Sequence, residues 1–351
     1  MHKKLIALAI AGLSSAAFAQ TNVTLYGVAD VSLEAASASS NGANPGRGNF
    51  ARVDSNDSFV GLKGTEDLGD GLKALFQFET GFSADKGVYS GFGHDTFVGL
   101  SGGFGTVTGG HLSTATRNLG TRMEMLPGNA GVGTADSLLE HTGRLSNAVQ
   151  YQSVDFNGFN FAAAYGAGED KNFDGATFTQ NSKTYDLGVN YAIGGWDMGL
   201  AYRRFGTGSN APGATDTIKN LLLGLGYTFD GGHKVTAQWE KRKEDAVSIG
   251  HQDFSAYSLQ GLYKVSAAGG LIAEYTKLKD TSGNLGEPQD GAKMFTLGYV
   301  HNLSKRTLVK VVYSKIKNNG IGADSDFANG PTAFGSGADA RALSFGVRHA
   351  F

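Results

Sequence analysis

Hydrophobic and polar residues alternate at a period of two along most of the chain. From Tyr185 to Ile193, one face reads Tyr185, Leu187, Val189, Tyr191 and Ile193, and the other reads Asp186, Gly188, Asn190 and Ala192. From Trp196, the residues Trp196, Met198, Leu200 and Tyr202 oppose Asp197, Gly199, Ala201 and Arg203. Leu72, Ala74, Phe76 and Phe78 oppose Lys73, Leu75, Gln77 and Glu79, and the chain ends with Leu343, Phe345, Val347, His349 and Phe351 against Ser344, Gly346, Arg348 and Ala350. This period predicts strands that are apolar on one face only. No stretch after the N-terminal segment shows a convincing 3.6-residue period.

The distribution of residues between the two faces separates a membrane barrel from a soluble β-protein. The apolar face carries aromatics toward the strand ends (Tyr185, Tyr191, Trp196, Tyr202), where interfacial girdles sit. The other face is rich in Gly, Ser, Thr, Asn and charge. A small soluble barrel keeps its apolar face inside, and a soluble β-sandwich has to account for a dozen or more such strands in one chain.

Connections alternate between short and long. Short turns are predicted at Leu68 to Asp70, Gly102 to Gly105, Asn157-Gly158, Gly194-Gly195, Gly231-Gly232, Ala267 to Gly269 and Ser304 to Arg306. Long polar stretches fall at Ser37 to Arg52, Ser83 to Gly93, Leu112 to Ser146, Ala167 to Ser182, Thr207 to Thr217, Asp245 to Asp253, Asp280 to Ala292 and Asn318 to Asp339. These connections join sixteen strands into an all-β, antiparallel transmembrane barrel with long extracellular loops and short periplasmic turns. Proline lacks the ladder donor, and Pro45, Pro127, Pro212, Pro288 and Pro331 all fall in the long stretches.

The first nineteen residues read differently. His2, Lys3 and Lys4 precede an apolar run from Leu5 to Leu13, and Ala17-Phe18-Ala19 forms an A-x-A site. Residues 1–19 are therefore expected to be an export signal, leaving 20–351 as one barrel domain. The apolar run is too short for a membrane-spanning helix. Without Lys3 and Lys4 the balance passes from 30 basic against 32 acidic to 28 against 32, a formal −4, which gives no sign of nucleic-acid binding. The chain has no cysteine, so a disulfide framework and thiolate metal sites are excluded.

Chemistry-bearing motifs are weak. Gly99-Leu100-Ser101-Gly102-Gly103 matches G-x-S-x-G, but a nucleophile elbow needs strand, turn and helix, and here a strand meets a Gly-rich turn and another strand. The histidines after the signal segment (His94, His111, His141, His233, His251, His301, His349) lack metal-ligand spacing. Asp324 and Asp326 with Asn329-Gly330 only loosely approach a calcium loop. No catalytic residue, metal ligand or cofactor is expected. A barrel enzyme needs a Ser/His or Asp/His constellation that cannot be placed, and a narrow barrel serving as adhesin or anchor conflicts with sixteen strands, whose circumference leaves an aqueous lumen.

Several segments together resemble a known family. They are Val23-Thr24-Leu25-Tyr26-Gly27, Gly61-Leu62-Lys63-Gly64-Thr65-Glu66-Asp67-Leu68-Gly69-Asp70-Gly71-Leu72-Lys73-Ala74, Phe97-Val98-Gly99-Leu100-Ser101-Gly102, Leu303-Ser304-Lys305-Arg306-Thr307 and the terminal Phe345-Gly346-Val347-Arg348-His349-Ala350-Phe351. The chain resembles the general trimeric porins of Gram-negative bacteria, most closely those of β-proteobacteria, over essentially its whole length after the signal. The resemblance implies an outer-membrane homotrimer through which small hydrophilic solutes and ions diffuse. Lipopolysaccharide and the barrel-assembly machinery are implied as further partners, with Phe351 part of the assembly signal.

The resemblance also implies a role for Leu112 to Ser146, the longest connection, since the family's third loop folds inward and narrows the pore. Arg117, Arg122, Glu124, Asp136, Glu140 and Arg144 lie in it, with His111 just before it. Opposed charges there are expected to set a transverse field that sorts solutes. Related porins carry a ladder of basic residues on the facing wall, and this chain has Val28, Phe59, His111 and Gln150 at those positions. Alternation turns Val28, Phe59 and Gln150 toward the lumen; strand five is too Gly-rich to give His111 a face. A fixed lumenal charge is worth roughly 4 kcal/mol to a counter-ion at 4 Å in an effective dielectric of 20, so losing the ladder predicts weak ion selectivity, with Lys63, Lys73, Arg203 and the loop arginines as the remaining cations. If His111 lines the constriction, anion preference should rise as pH falls through about 6.5.

Deleting Phe351 tests the assembly expectation. Outer-membrane levels of folded, heat-modifiable barrel should fall sharply; normal levels would contradict it.

Overall fold

The structure is a computed structural model, and it describes residues 22–39, 47–89, 91–128, 131–140, 143–168, 183–208, 215–246, 250–283, 289–319, 327 and 337–351. The export segment and the Asp324–Gly330 motif, apart from Phe327, lie outside the described residues. In chain order the first elements are β1 (Asn22–Ala38), β2 (Arg47–Ser55), β3 (Phe59–Gly69), β4 (Leu72–Ser83), β5 (Val88–Tyr89), β6 (Thr96–Gly102), β7 (Gly105–Ser113), helix α1 (Ala115–Met123), β8 (Arg144–Gln152) and β9 (Phe159–Gly166). There follow β10 (Thr184–Ile193), β11 (Trp196–Gly208), β12 (Thr215–Thr228), β13 (Lys234–Ala246), β14 (Gly250–Lys264), β15 (Gly269–Leu278), β16 (Ser282–Gly283), β17 (Ala292–Asn302), β18 (Thr307–Asn318) and β19 (Ala340–Ala350).

These elements make sixteen staves of one closed antiparallel barrel. β2 and β3 form a single stave, since both pair with β1 on the same side. β5 and β16 are two-residue additions at loop ends. Closure is made by β1 and β19, which pair from Val28↔Ala350 to Ala38↔Ala340. The last residue completes the seam: Phe351 N–H donates to Gly27 O at 3.1 Å, and Gly27 N–H donates to Phe351 O at 3.1 Å. A closed ladder leaves no sheet edge to desolvate in lipid.

The apolar alternation lies on the outside. Leu187 is 51% exposed and Leu297 48%, whereas Asp186, Glu274 and Thr296 on the opposite face are buried. All seven expected short turns join neighbouring staves. The strands run further into several long connections than apolar alternation indicated. β1 reaches Ala38, β13 reaches Ala246, β14 starts at Gly250, and the longest connection shrinks to 114–143. Ladder pairing needs only backbone groups, so a strand continues where outward side chains turn polar above the hydrocarbon.

That connection also contains α1, a helix the period did not reveal. Its signal is small: Ala115, Leu119 and Met123 at spacing of four, all buried, behind Thr114, whose Oγ1 accepts from Arg117 N–H at 3.0 Å as an N-cap. Asp186 accepts from Ala115 N–H and, at 3.0 Å, from Thr116 Oγ1, placing a carboxylate at the positive end of the helix dipole. The barrel wall is carved to receive the helix. A Cβ on Gly188 would lie 2.5 Å from Ala115 Cβ, and one on Gly224 would lie 2.8 Å from Leu119 Cδ1. Glycine on the lumenal face of β10, β11 and β12 is thus a helix seat.

Gly224→Val should cost roughly 1–3 kcal/mol of packing through overfilling and displace α1 while leaving the ladder intact. Single-channel recordings should show altered conductance in a barrel that still folds; wild-type conductance would mean the helix does not rest on this seat.

Candidate functional site: a constriction inside the barrel

After α1 the loop crosses the lumen, held at successive points by inward side chains. Thr236 Oγ1 donates to Met123 O at 2.7 Å, Gln260 Oε1 accepts from Met125 N–H at 2.8 Å, and Lys310 Nζ donates to Pro127 O at 3.3 Å. Leu126 and Val132 join Ile272, Met294, Val312 and Ile316 in one apolar cluster. Inward Ile and Met in a water-filled barrel are unfavourable unless covered, and the loop covers them. On the return, Glu140 N–H donates to Glu240 Oε2 at 2.8 Å, and Thr114 Oγ1 donates to Gly143 O at 2.9 Å, tying the two loop ends together. The described residues of 114–143 are thus held against the inner wall.

The charged residues expected in the loop do not form one group. Arg117 and Arg144, at its two ends, converge on the β2–β3 break and the start of β6. Arg117 Nη2 is 3.7 Å from Asp57 Oδ2, and Arg144 Nε is 2.8 Å from Asp95 Oδ1. His94 joins them: Nε2 is 3.2 Å from Asp57, and Nδ1 accepts from Arg144 Nη2 at 3.3 Å. Arg122, at the far end of α1, pairs with Asp197 at 2.9 Å, and Glu140 pairs with Arg242 at 2.7 Å. Glu124 accepts from the N–H groups of Ala135 (2.9 Å), Met125 (3.1 Å) and Leu126 (3.3 Å), so it folds the loop rather than facing the pore. Burial raises the Glu124 carboxyl to about 7 despite those donors. Burial likewise raises Asp136 to about 7 against the pull of Arg117. Asp136, Glu140, Glu240 and Arg242 line a lumenal cavity of about 400 Å³.

On the wall, Val28 and Phe59 pair in register and both turn inward, with Phe59 stacked on His94 at 5.2 Å between ring centroids. Gln150 also faces inward and donates to Ser113 O at 3.1 Å. Lys63 lies over the Tyr26 ring at 4.5 Å. Arg203 is buried beside the Phe205 ring, in register with Asp186 and Asn220.

His111 departs from the expectation. It pairs with Thr96 on the face that carries Val98 and Leu100, both exposed on the outer surface, and its Nδ1 is 3.0 Å from Ser146 Oγ. The β-bulge between Gly110 and Leu112 shifts the register with β8 at this point. His111 thus sits on the outer wall, away from the constriction.

Sequence reasoning missed most partners of the loop cations (Asp57, Asp95 and Asp197) and two clusters on the wall. Asp30, fully buried, accepts from Lys310 Nζ at 2.9 Å and Arg348 Nη1 at 3.2 Å, and Glu34 accepts from Arg52 at 2.7 Å. The only advance sign of the wall clusters was charge at inward positions of β1, β18 and β19.

A closed barrel with an apolar exterior, a polar lumen and an inward-folded loop defines a pore-forming protein of the outer-membrane type. The chain matches the Gram-negative porin family over residues 5–321. It is 31% identical to outer membrane porin protein 32 of Delftia acidovorans, over 100% of both chains. An anion-selective porin from Comamonas acidovorans superposes with a TM-score of 0.77 at 26% identity, covering 94% of this chain and 100% of that one. OmpT of Vibrio cholerae, in vitro folded in its trimer form, shares the fold, with a TM-score of 0.67 at 18% identity and coverage of 94% and 99%. The chain belongs to the Gram-negative porin family: it is an outer-membrane channel for passive diffusion, not an enzyme.

Removing about ten residues around Pro127 to Gly133 should raise conductance and the solute size limit, because it takes away the part of the loop that spans the lumen. Unchanged conductance in an intact barrel would place the loop outside the current path.

Proposed function

We propose that this porin is a homotrimer of weakly ion-selective channels for small hydrophilic solutes and ions, with the aperture set by residues 114–143. The observation that carries this reading is the pairing of charge. Arg52, Arg117, Arg122, Arg144, Arg242, Lys310 and Arg348 each have a carboxylate oxygen within 4.0 Å. A paired cation presents a dipole rather than a net charge to a passing ion, and its field falls off faster. Val28, Phe59 and Gln150 add no charge where related porins carry cations. The Comamonas relative is anion-selective; this chain keeps that architecture with seven of its inward cations paired to carboxylates.

The outward face supports the trimer. Outward wall positions on β8 to β18 carry Tyr and Trp, among them Tyr165, Tyr185, Tyr191, Trp196, Trp239, Tyr263, Tyr275 and Tyr313. Those on β1 to β4, β6 and β7 carry mostly Val, Leu, Phe, Ala and Gly and no exposed Tyr or Trp, such as Val23, Leu25, Leu33, Val53, Leu62, Val98 and Leu100. A face without interfacial anchors fits subunit contact better than lipid. Lipopolysaccharide and the barrel-assembly machinery complete the proposed partners, the latter reading the strand that ends at Phe351.

Reversal potentials in a salt gradient test the reading. They should lie near zero at pH 5. Asp136, on the cavity wall, has a folded-state value raised to about 7, so it is neutral at pH 5 and ionised at pH 8. Cation preference should therefore grow over that interval, and Asp136→Asn should reduce the change. The same shift favours the docked loop at low pH, with the penalty accumulating from about pH 4 and complete above about 7. Strong anion selectivity unchanged from pH 5 to pH 8 would overturn the proposal.

A further inference from the structure

The outer surface of the barrel carries an unbalanced basic patch at the extracellular ends of β15, β17, β18 and β19. Lys277 pairs across the strands with Lys293, and Lys293 with Lys317. Lys315 pairs with Arg341. All five lie on the outward face with Tyr275, Phe295, Tyr313 and Leu343, side chains 36–46% exposed. Like charges directly opposite each other in a sheet are destabilising, and three lysines in one cross-strand row compound that.

Only Asp280 among the described residues lies near enough to Lys277 and Lys293 to offset part of their charge. None of the five cations makes an ion pair within 4.0 Å among the described residues. The carboxylates described at this rim are also tied to the loops, Asp290 by Thr281 N–H at 2.7 Å. Asp280 accepts from Gly291 N–H (2.8 Å) and Asn319 Nδ2 (2.9 Å), and Asp339 accepts from Asn318 N–H (3.1 Å). The far rim differs, for there Lys219 pairs with Asp245 at 3.7 Å and Lys241 with Asp253 at 3.3 Å.

Position identifies the complement. Each of Lys277, Lys293, Lys315 and Arg341 lies two residues beyond an outward apolar side chain, toward the extracellular loops. That is the level at which hydrocarbon gives way to headgroups. A cavity of about 510 Å³ opens there, lined by Ser37, Ser39, Asn49, Lys315 and Arg341 together with Asp339. Arg341 Nε donates to Ser37 Oγ at 2.8 Å, which steadies the guanidinium at its edge.

We propose that this patch is the docking surface for the phosphorylated glycolipid headgroup of the outer leaflet, with Lys293, Lys315, Lys317 and Arg341 holding its phosphates. The inference rests on the lipopolysaccharide partnership proposed above and assigns it to one side of the barrel.

The test uses the folded, full-length porin in its native oligomer, with purified deep-rough lipopolysaccharide and the same material stripped of lipid A phosphates as probes. Binding is read by native mass spectrometry and titration. Wild type should hold the phosphorylated form more tightly. Lys293→Gln/Lys315→Gln/Lys317→Gln should weaken it by roughly tenfold or more, given the strength of Lys attraction to anionic lipid. Lys219→Gln/Lys241→Gln/Lys243→Gln on the far rim should bind as wild type, and both variants should keep wild-type conductance. Equal binding by the first triple variant, or an equal loss in the second, overturns the assignment of the surface. If wild type does not distinguish the two probes, the lipopolysaccharide partnership itself fails. Should the first variant not fold, salt decides on wild type alone: release between about 0.1 and 1 M is expected for an exposed electrostatic contact, and retention at high salt contradicts it.

Discussion

In hydrocarbon every backbone donor and acceptor has to find a partner within the sheet, and the rest of this molecule follows from that requirement. A sheet that pairs Val28–Ala38 with Ala340–Ala350 has no edge, so it closes, and closure defines an inside and an outside for every residue. Outside, the solvent is lipid, so Leu, Val and aromatics are favourable there. Inside, the lumen is wide enough for water, and carboxylates, amides and hydroxyls line it. The seam depends on both chain ends at once: Phe351 exchanges both backbone hydrogen bonds with Gly27, and a Cβ on Gly27 would lie 2.5 Å from Phe351 Cζ. Glycine there is what allows the terminal ring to lie flat across the first strand.

The loop turns the barrel from a wide pipe into a selective one, and the wall is built around it. Three kinds of contact share the task. Glycines in β10, β11 and β12 make room for α1. Inward Ile272, Met294, Val312 and Ile316 supply an apolar landing for Leu126 and Val132. Asp186, Glu240, Gln260 and Lys310 then fix the loop backbone. The inward Ile, Met and Val do not suit a water-filled lumen by themselves, and they are accounted for once the loop covers them. Charge follows the same economy, because loop cations that would otherwise be stranded in a narrow space of low dielectric meet carboxylates from the wall.

Much of the fold was legible in the sequence because period two is a backbone property that closure does not alter. It turned Val28, Phe59 and Gln150 away from their apolar neighbours, and Val28 and Phe59 pair on one face of the wall. It gave His111 no face, because Gly109 and Gly110 give no pattern and a bulge shifts the register. α1 was missed because nine residues with three apolar positions among Thr, Arg, Asn and Gly make too faint a helical signal. The partners of the loop cations were invisible for a different reason. Arg144 meets Asp95, 49 residues away, and Arg122 meets Asp197, 75 residues away; such pairs are set by barrel geometry, not by spacing. Strand ends past the membrane were also hidden, since ladder pairing continues in β13 and β14 where outward side chains are Lys and Asp.

A loop held inside the barrel lies in the current path, and a single thiol on it can report this directly. The chain has no cysteine, so Ser137→Cys provides one thiol on the loop, at the edge of the lumenal cavity. A membrane-impermeant thiol reagent added to a single open channel should lower its conductance in discrete, irreversible steps, and larger reagents should lower it further. A channel that mass spectrometry shows to be fully modified at this thiol, yet conducts as before, would contradict the claim.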